Sequence, residues 1–194
     1  LTIIYGIFIQ AWQISAMKEY GKDDSNEFYN KVFITLNLFV YGVASLLIIG
    51  TRVLSYVVFA KEFYNAWIFV PYLILSAVFT ASAGYIAPIL TSGYKTWAVA
   101  KSTLIGGLIN IILNVLLLYG IGNIGVAIAT MMSSFIILYL RYRSTEEIIT
   151  RKSFNRGCIL WFLLCCQATL EVFKLEFFQL PIILVALIIN RKEI

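Results

Sequence analysis

Histidine is missing from this 194-residue chain, and Asp, Glu, Lys and Arg together supply only 13% of it. A soluble domain carries about 25% charge, so water cannot be the solvent for most of this surface. Lipid is the alternative, and 61% apolar residues with a mean hydropathy of +0.88 point the same way. The ten carboxylates avoid the middle of every apolar run; Glu171 and Glu176 come closest, at run ends. With no histidine and no central acid, there is no obvious intramembrane proton relay or carboxylate cation site. Cysteine is scarce as well. Cys158, Cys165 and Cys166 share one apolar run without metal-ligand spacing, and read as small apolar residues of a membrane helix. No nucleophile–base pair or metal constellation stands out, so neither an enzyme nor a bound cofactor or metal is expected. The net charge of +5 marks no nucleic-acid partner, because Arg and Lys gather at the ends of apolar runs, where membrane topology needs them. The chain opens on Leu1 and enters an apolar run at once, which reads as an interior start and not as a signal peptide.

What is abundant is long apolar runs. A helix needs ~20 apolar residues to cross the hydrocarbon layer. That ruler gives about seven transmembrane helices: Leu1 to Met17, Tyr29 to Gly50, Tyr64 to Ile89, Trp97 to Tyr119, Asn123 to Tyr142, Cys158 to Val172 and Phe177 to Asn190. The expected fold is an all-α, polytopic membrane helix bundle. Its parts are 1–143, a connection over 144–156, and two further helices within 157–194.

The basic residues test that count. One set of connections holds twelve: Lys18, Lys22, Lys31, Lys95, Lys101, Arg141, Arg143, Arg151, Lys152, Arg156, Arg191 and Lys192. The other set holds three: Arg52, Lys61 and Lys174. The alternation is a positive-inside pattern, which places the C-terminus in the cytoplasm. Asp24 with Glu27 and Ser144 with Glu147 have capping-box spacing. The first would open the second span, and the second a short interfacial helix around Thr145 to Lys152. Gly120 to Gly125 is a tight turn that makes the fourth and fifth spans an antiparallel hairpin. Its Gly120, Gly122 and Gly125 spell G-x-G-x-x-G, but no strand precedes them, so the match is a turn and not a dinucleotide site. Tyr64, Trp67, Tyr72, Tyr94 and Trp97 sit near span ends, as an interfacial aromatic belt does.

Polar residues inside spans are the candidate site. Asn37, Tyr41, Ser45 and Arg52 share one helical face, which should look into the bundle or a wet cavity. At ~1.5 Å per residue, Arg52 lies ~31 Å beyond Lys31, near the outer boundary. Arg52 and Lys61 can draw a phosphate, or simply reach into the outer headgroups. Thr103, Gly107, Asn110 and Asn114 form another stripe, suited to a sugar, a wet lumen or a neighbouring helix. Gln10 and Gln13 pose the same choice, with Trp12 beside them as a possible sugar-stacking ring. Small residues Gly125, Ala129 and Ser133 mark a close helix contact, and Ser76, Thr80, Ala83 and Ala87 form a comparable stripe.

Several stretches resemble polysaccharide repeat-unit flippases of the multidrug/oligosaccharidyl-lipid/polysaccharide exporter superfamily. They are Ala11-Trp12-Gln13-Ile14-Ser15 with Lys18-Glu19-Tyr20, Phe28-Tyr29-Asn30-Lys31-Val32-Phe33, Lys61 to Trp67 leading to Val70-Pro71-Tyr72-Leu73, Asn110 to Asn114, and Tyr119 to Thr130. The resemblance covers roughly Leu1 to Arg143, and more loosely the rest. It implies the C-terminal lobe plus two extra helices of a transporter of about 14 helices, built of two lobes. It implies flipping of undecaprenyl-diphosphate-linked oligosaccharide across a bacterial inner membrane by alternating access, for lipopolysaccharide, capsule or exopolysaccharide. The implied partners are that lipid-linked substrate, membrane lipids and other polysaccharide-assembly proteins. Arg52 and Lys61 match basic positions in a family segment near the cavity mouth; with Asn37, Asn110, Asn114 and Gln13 they are the candidate substrate-binding residues. Two readings compete. A cation-coupled multidrug antiporter of the same superfamily would more naturally show a buried carboxylate. A membrane-embedded polysaccharide polymerase or acyltransferase would present His, acids or a large polar loop.

Overall fold

A computed structural model describes residues 2–58 and 61–173, without the side chains of 2–4, 7 and 61–63. Helix accounts for 89% of the described residues, and none of them is in a strand. The order is α1 (Thr2–Glu19), α2 (Ser25–Ile49), α3 (Thr51–Val58), a 3-10 stretch (Lys61–Phe69), α4 (Val70–Ser92), α5 (Thr96–Ile121), α6 (Asn123–Arg143) and α7 (Arg151–Val172). Among the described residues, four segments are long and apolar enough to cross a membrane: Ser25–Ile49, Tyr64–Ser92, Thr96–Ile121 and Asn123–Arg143. These coincide with the second to fifth runs of the sequence. The first and sixth runs are helical too, but Lys18 and Glu19 in α1, and Arg151, Lys152 and Arg156 in α7, dilute their apolar character. The seventh run, Phe177 to Asn190, lies outside the described residues.

Helix α4 is the hub. α1, α2, α6 and α7 pack around it, while α5 lies mainly against α6. Its apolar side chains Leu75, Val78, Tyr85, Ile86 and Ile89 are all but fully buried. α5 is the reverse, a helix whose apolar side chains face outward: Leu104, Leu108, Ile111 and Leu116 are each more than 60% exposed. Water would not tolerate such a surface, whereas lipid does.

The α5–α6 hairpin forms as its glycines require. Gly122 joins the helices at φ 74°, a backbone that side-chain-bearing residues rarely adopt. Across the hairpin Gly125 abuts the Leu117 backbone, Gly106 abuts Ile137, and Ala129 and Ser133 are buried. In lipid, helix pairs are held by close packing more than by apolar burial, so small residues at this seam bring the backbones together.

The connections gather at two ends. At one, Asn26 donates to Glu147 O (3.4 Å), Lys95 donates to Ser144 O (3.4 Å) and the Tyr20 hydroxyl lies against Gly93. Lys18, Lys22, Lys95, Arg143, Arg151 and Lys152 belong to this basic end; Arg52 belongs to the other.

Neither capping box forms. α2 starts at Ser25, but Asp24 (φ −95°, ψ 10°) is not extended, and its side chain makes no cap hydrogen bond. Residues 144–150 are turn and not an interfacial helix, because their polar groups are used elsewhere. Ser144 Oγ and Thr145 Oγ1 donate back to Leu140 O and Arg141 O, ending α6. Asn30 donates to Ile148 O (2.7 Å) and accepts from Thr150 N (2.9 Å), pinning the turn to α2. Thr150 becomes the cap of α7, its Oγ1 accepting from Ser153 N at 3.3 Å, so α7 starts well before Cys158 and reaches 22 residues.

Candidate functional site

The face of Asn37, Tyr41 and Ser45 on α2, continued by Arg52 at the start of α3, turns inward, mainly onto α7. Asn37, 2% exposed, accepts at Oδ1 from Ser82 Oγ of α4 (2.8 Å) and Trp161 Nε1 of α7 (3.1 Å). Its Nδ2 donates to Phe33 O (2.8 Å). Three helices therefore meet on one amide. Ser45 donates to Gln167 Oε1 (2.9 Å), and Gln167 Nε2 donates to Ser45 O (3.1 Å). Tyr41 is buried between them, its hydroxyl without a hydrogen-bond partner among the described residues. We expect Asn37→Leu to lower stability by about 2 kcal/mol, since the buried Trp161 N–H loses its acceptor. Ser82→Ala removes a donor that also bonds Val78 O, and should move the unfolding temperature in detergent much less.

Arg52 does not reach out to headgroups. Its Nε lies 3.1 Å from Glu171 Oε1, its Nη2 donates to Glu171 O (3.0 Å), and its Cζ sits 4.8 Å from the centre of the Trp67 ring. Trp67, expected in an aromatic belt, is buried here, as is Tyr72. Tyr94 and Trp97 are exposed as a belt requires. Lys61 begins the 3-10 stretch; its side chain lies outside the described residues.

The second stripe opens onto a cleft. Between α1 and α6 a strip of α4 forms a cleft floor: Leu73 and Thr80 are exposed and Ala77 and Ala87 half-buried, while Gly84 is covered by Tyr5 of α1. α5 and α6 form one bank of this cleft. There Asn110 Nδ2 donates to Ser133 Oγ (3.1 Å) and Asn114 Nδ2 donates to Asn110 Oδ1 (3.0 Å). Asn114 Oδ1 has no partner among the described residues, and a Cβ at Gly107 would meet nothing within 4 Å. Ser76 and Ser134 share a hydroxyl contact of 2.9 Å, with Thr80 donating to Ser134 at 3.4 Å. α1 is the other bank. Its Gln10 and Gln13 are exposed, and among the described residues no hydrogen bond joins them to the Asn110–Asn114 pair. Trp12 does not join them as a sugar platform. It is buried, stacked on Tyr85 with centroids 4.3 Å apart, and donates to Tyr85 O (2.9 Å).

At the basic end of the cleft stands Arg141. Its Nη1 donates to Ala83 O (2.8 Å), its Nε to Ser102 Oγ (3.2 Å) and its Nη2 to Thr103 Oγ1 (3.1 Å). No carboxylate among the described residues pairs with this half-buried guanidinium. Three neutral oxygens hold it in place and leave its charge uncompensated. The Tyr5 hydroxyl, within electrostatic reach of Arg141, lies against Gly84 and has no hydrogen-bond partner among the described residues. Read from sequence, Arg141 counts as a topological charge at a span end. Its register with Ser134 and Thr130, at spacings of seven and four, is the signal that places it on the α4-facing side of α6.

No family model matches the chain, and no curated protein or solved structure does.

Proposed function

We propose that the chain belongs to a flippase that carries undecaprenyl-diphosphate-linked oligosaccharide across a bacterial inner membrane, with its basic end in the cytoplasm. The observation that carries this reading is the uncompensated Arg141 guanidinium at the head of a cleft whose bank is amide and hydroxyl. A diphosphate is the anion such a fork suits, since Arg presents paired donors to phosphate oxygens. Thr80 and the exposed glutamines of α1 are the polar groups available to sugar hydroxyls further along, while Asn114 Oδ1 is buried. The half-buried alanines of the α4 floor leave room for bulk, and the lipid tail stays in the bilayer. Alternating access then amounts to one lobe rocking against another, which opens and closes the cleft. Arg52 is already neutralised by Glu171, so Arg141 is the better assignment for the anion.

The test is deletion of the encoding gene, then restoration with the intact form, Arg141→Gln or Arg141→Lys. Lipid-linked oligosaccharide on the inner leaflet should build up on deletion and clear with the intact gene. Arg141→Gln should clear it at least tenfold more slowly at equal protein level, and Arg141→Lys should recover part of the rate, because a desolvated charge–phosphate contact contributes roughly 1.5 to 3 kcal/mol. Absence of build-up with heightened drug sensitivity would sink this reading and favour a multidrug antiporter.

A further inference from the structure

A second crevice runs between α6 and α7, on the other side of the molecule's hub. It is made of two cavities that follow one another along the same helix pair. The inner one, about 340 Å³, is lined by Phe79, Met132, Phe135, Cys165, Phe162 and Trp161 and is almost wholly apolar. The outer one, about 420 Å³, opens at the basic end and is lined by Tyr139, Arg143, Glu146, Arg151 and Asn155, among others. The inner cavity reaches Ile136 and Cys158 and the outer one begins at Tyr139 and Asn155, so polarity changes over that step. From Met132 to Arg143 the α6 wall rises ~16 Å, the reach of most of an acyl chain. At the mouth Glu146 pairs with Arg143 (3.0 Å), which leaves Arg151, with Lys152 beside it, as surplus positive charge.

We infer that this crevice is a resident site for one anionic glycerophospholipid of the basic-end leaflet, acyl chain between Met132 and Phe162, phosphate between Arg143 and Arg151. The order of the two cavities is the order of parts in such a lipid, and the surplus charge is of the sign its headgroup needs. Open space between two membrane helices must be filled by something apolar, since a void forfeits contacts on every wall. The bound lipid then serves as packing between α6 and α7, whose backbones lie apart and whose close contact is the Tyr142–Phe154 ring stack (centroids 3.7 Å apart). The inference needs only a membrane protein and stands apart from the cargo assigned to the α4 cleft.

The experiment reconstitutes the full chain with chain-matched phosphatidylglycerol or phosphatidylcholine, and counts retained lipids by native mass spectrometry. One phosphatidylglycerol should survive delipidation that strips phosphatidylcholine. Arg143→Gln with Arg151→Gln should weaken its retention by roughly thirtyfold. Phosphatidylglycerol brominated on the chain should quench Trp161 fluorescence; Cys165→Phe, which fills the inner cavity, should abolish that quenching while the protein stays folded. Equal retention of the two lipids would overturn the inference, as would quenching indifferent to Cys165→Phe. So would crosslinking of Cys165 to residues 177–190, which would show the crevice filled by the chain itself.

Discussion

Gly125→Leu is expected to break the α5–α6 hairpin and to leave little folded protein. A Cβ at Gly125 would lie within the Leu117 backbone, 2.6 Å from its carbonyl carbon, and backbone cannot rotate away as a side chain can. Even Gly125→Ala must push the two helices apart; overpacking of this kind costs about 1 to 3 kcal/mol, and leucine should exceed that. The consequence spreads because the hairpin carries both ends of the candidate site. Asn110 reaches Ser133 across the seam, and Arg141 on α6 is held by Ser102 and Thr103 on α5. Separation of the helices therefore removes two of the three oxygens that fix the guanidinium. Gly107→Ala and Gly120→Ala are the controls. Both positions face open space, so alanine should be neutral or raise stability by about 0.5 to 1 kcal/mol through helix propensity. The measurement is the thermal unfolding midpoint in detergent together with the yield of monodisperse protein. A stable Gly125→Leu would mean that the hairpin does not close as tightly as described.

The hairpin is also where the sequence is most legible. Length and hydropathy fix spans, glycine fixes the turn, and a period-four run of small residues fixes the contact face; each is a local property. The α2 stripe was half legible. Spacing put Asn37, Ser45 and Arg52 on one face, yet it named no partner, because Trp161, Gln167 and Glu171 lie more than a hundred positions away. Glu171 is the instructive case. At the end of an apolar run it reads as a boundary acid, while in the fold it is buried against Arg52. The connection over 144–150 failed for a related reason. Ser144 with Glu147 has a capping box's spacing, but Asn30 of α2 competes for the turn, and Thr145 and Ile149 are drawn into the interior. The Arg141 node was masked by its position: at a span end, a basic residue that sets topology and one that faces a cleft look alike until α4 supplies Ala83 O.

Glu171→Ala should be the most damaging single change outside the hairpin, costing about 3 to 5 kcal/mol by leaving the Arg52 guanidinium among α7 and Trp67 without its carboxylate. Glu171→Gln keeps the shape and some hydrogen bonding and should cost less. The informative variant is the double replacement, Arg52→Met with Glu171→Leu. Apolar side chains of similar bulk make no demand for a counter-ion, so stability should recover to near that of the intact protein, as exchanged buried ion pairs often do. That recovery separates two roles which a single substitution confounds. On the proposed flippase reading, Arg52→Ala alone would lose transport whether Arg52 binds cargo or merely ties α7 to the break between α2 and α3. A double variant that is folded and still clears lipid-linked oligosaccharide would make the pair a clamp, and leave the anion to Arg141. A double variant that is equally stable yet inactive would return Arg52 to the transport path, with Glu171 as the carboxylate that holds its charge until a phosphate replaces it.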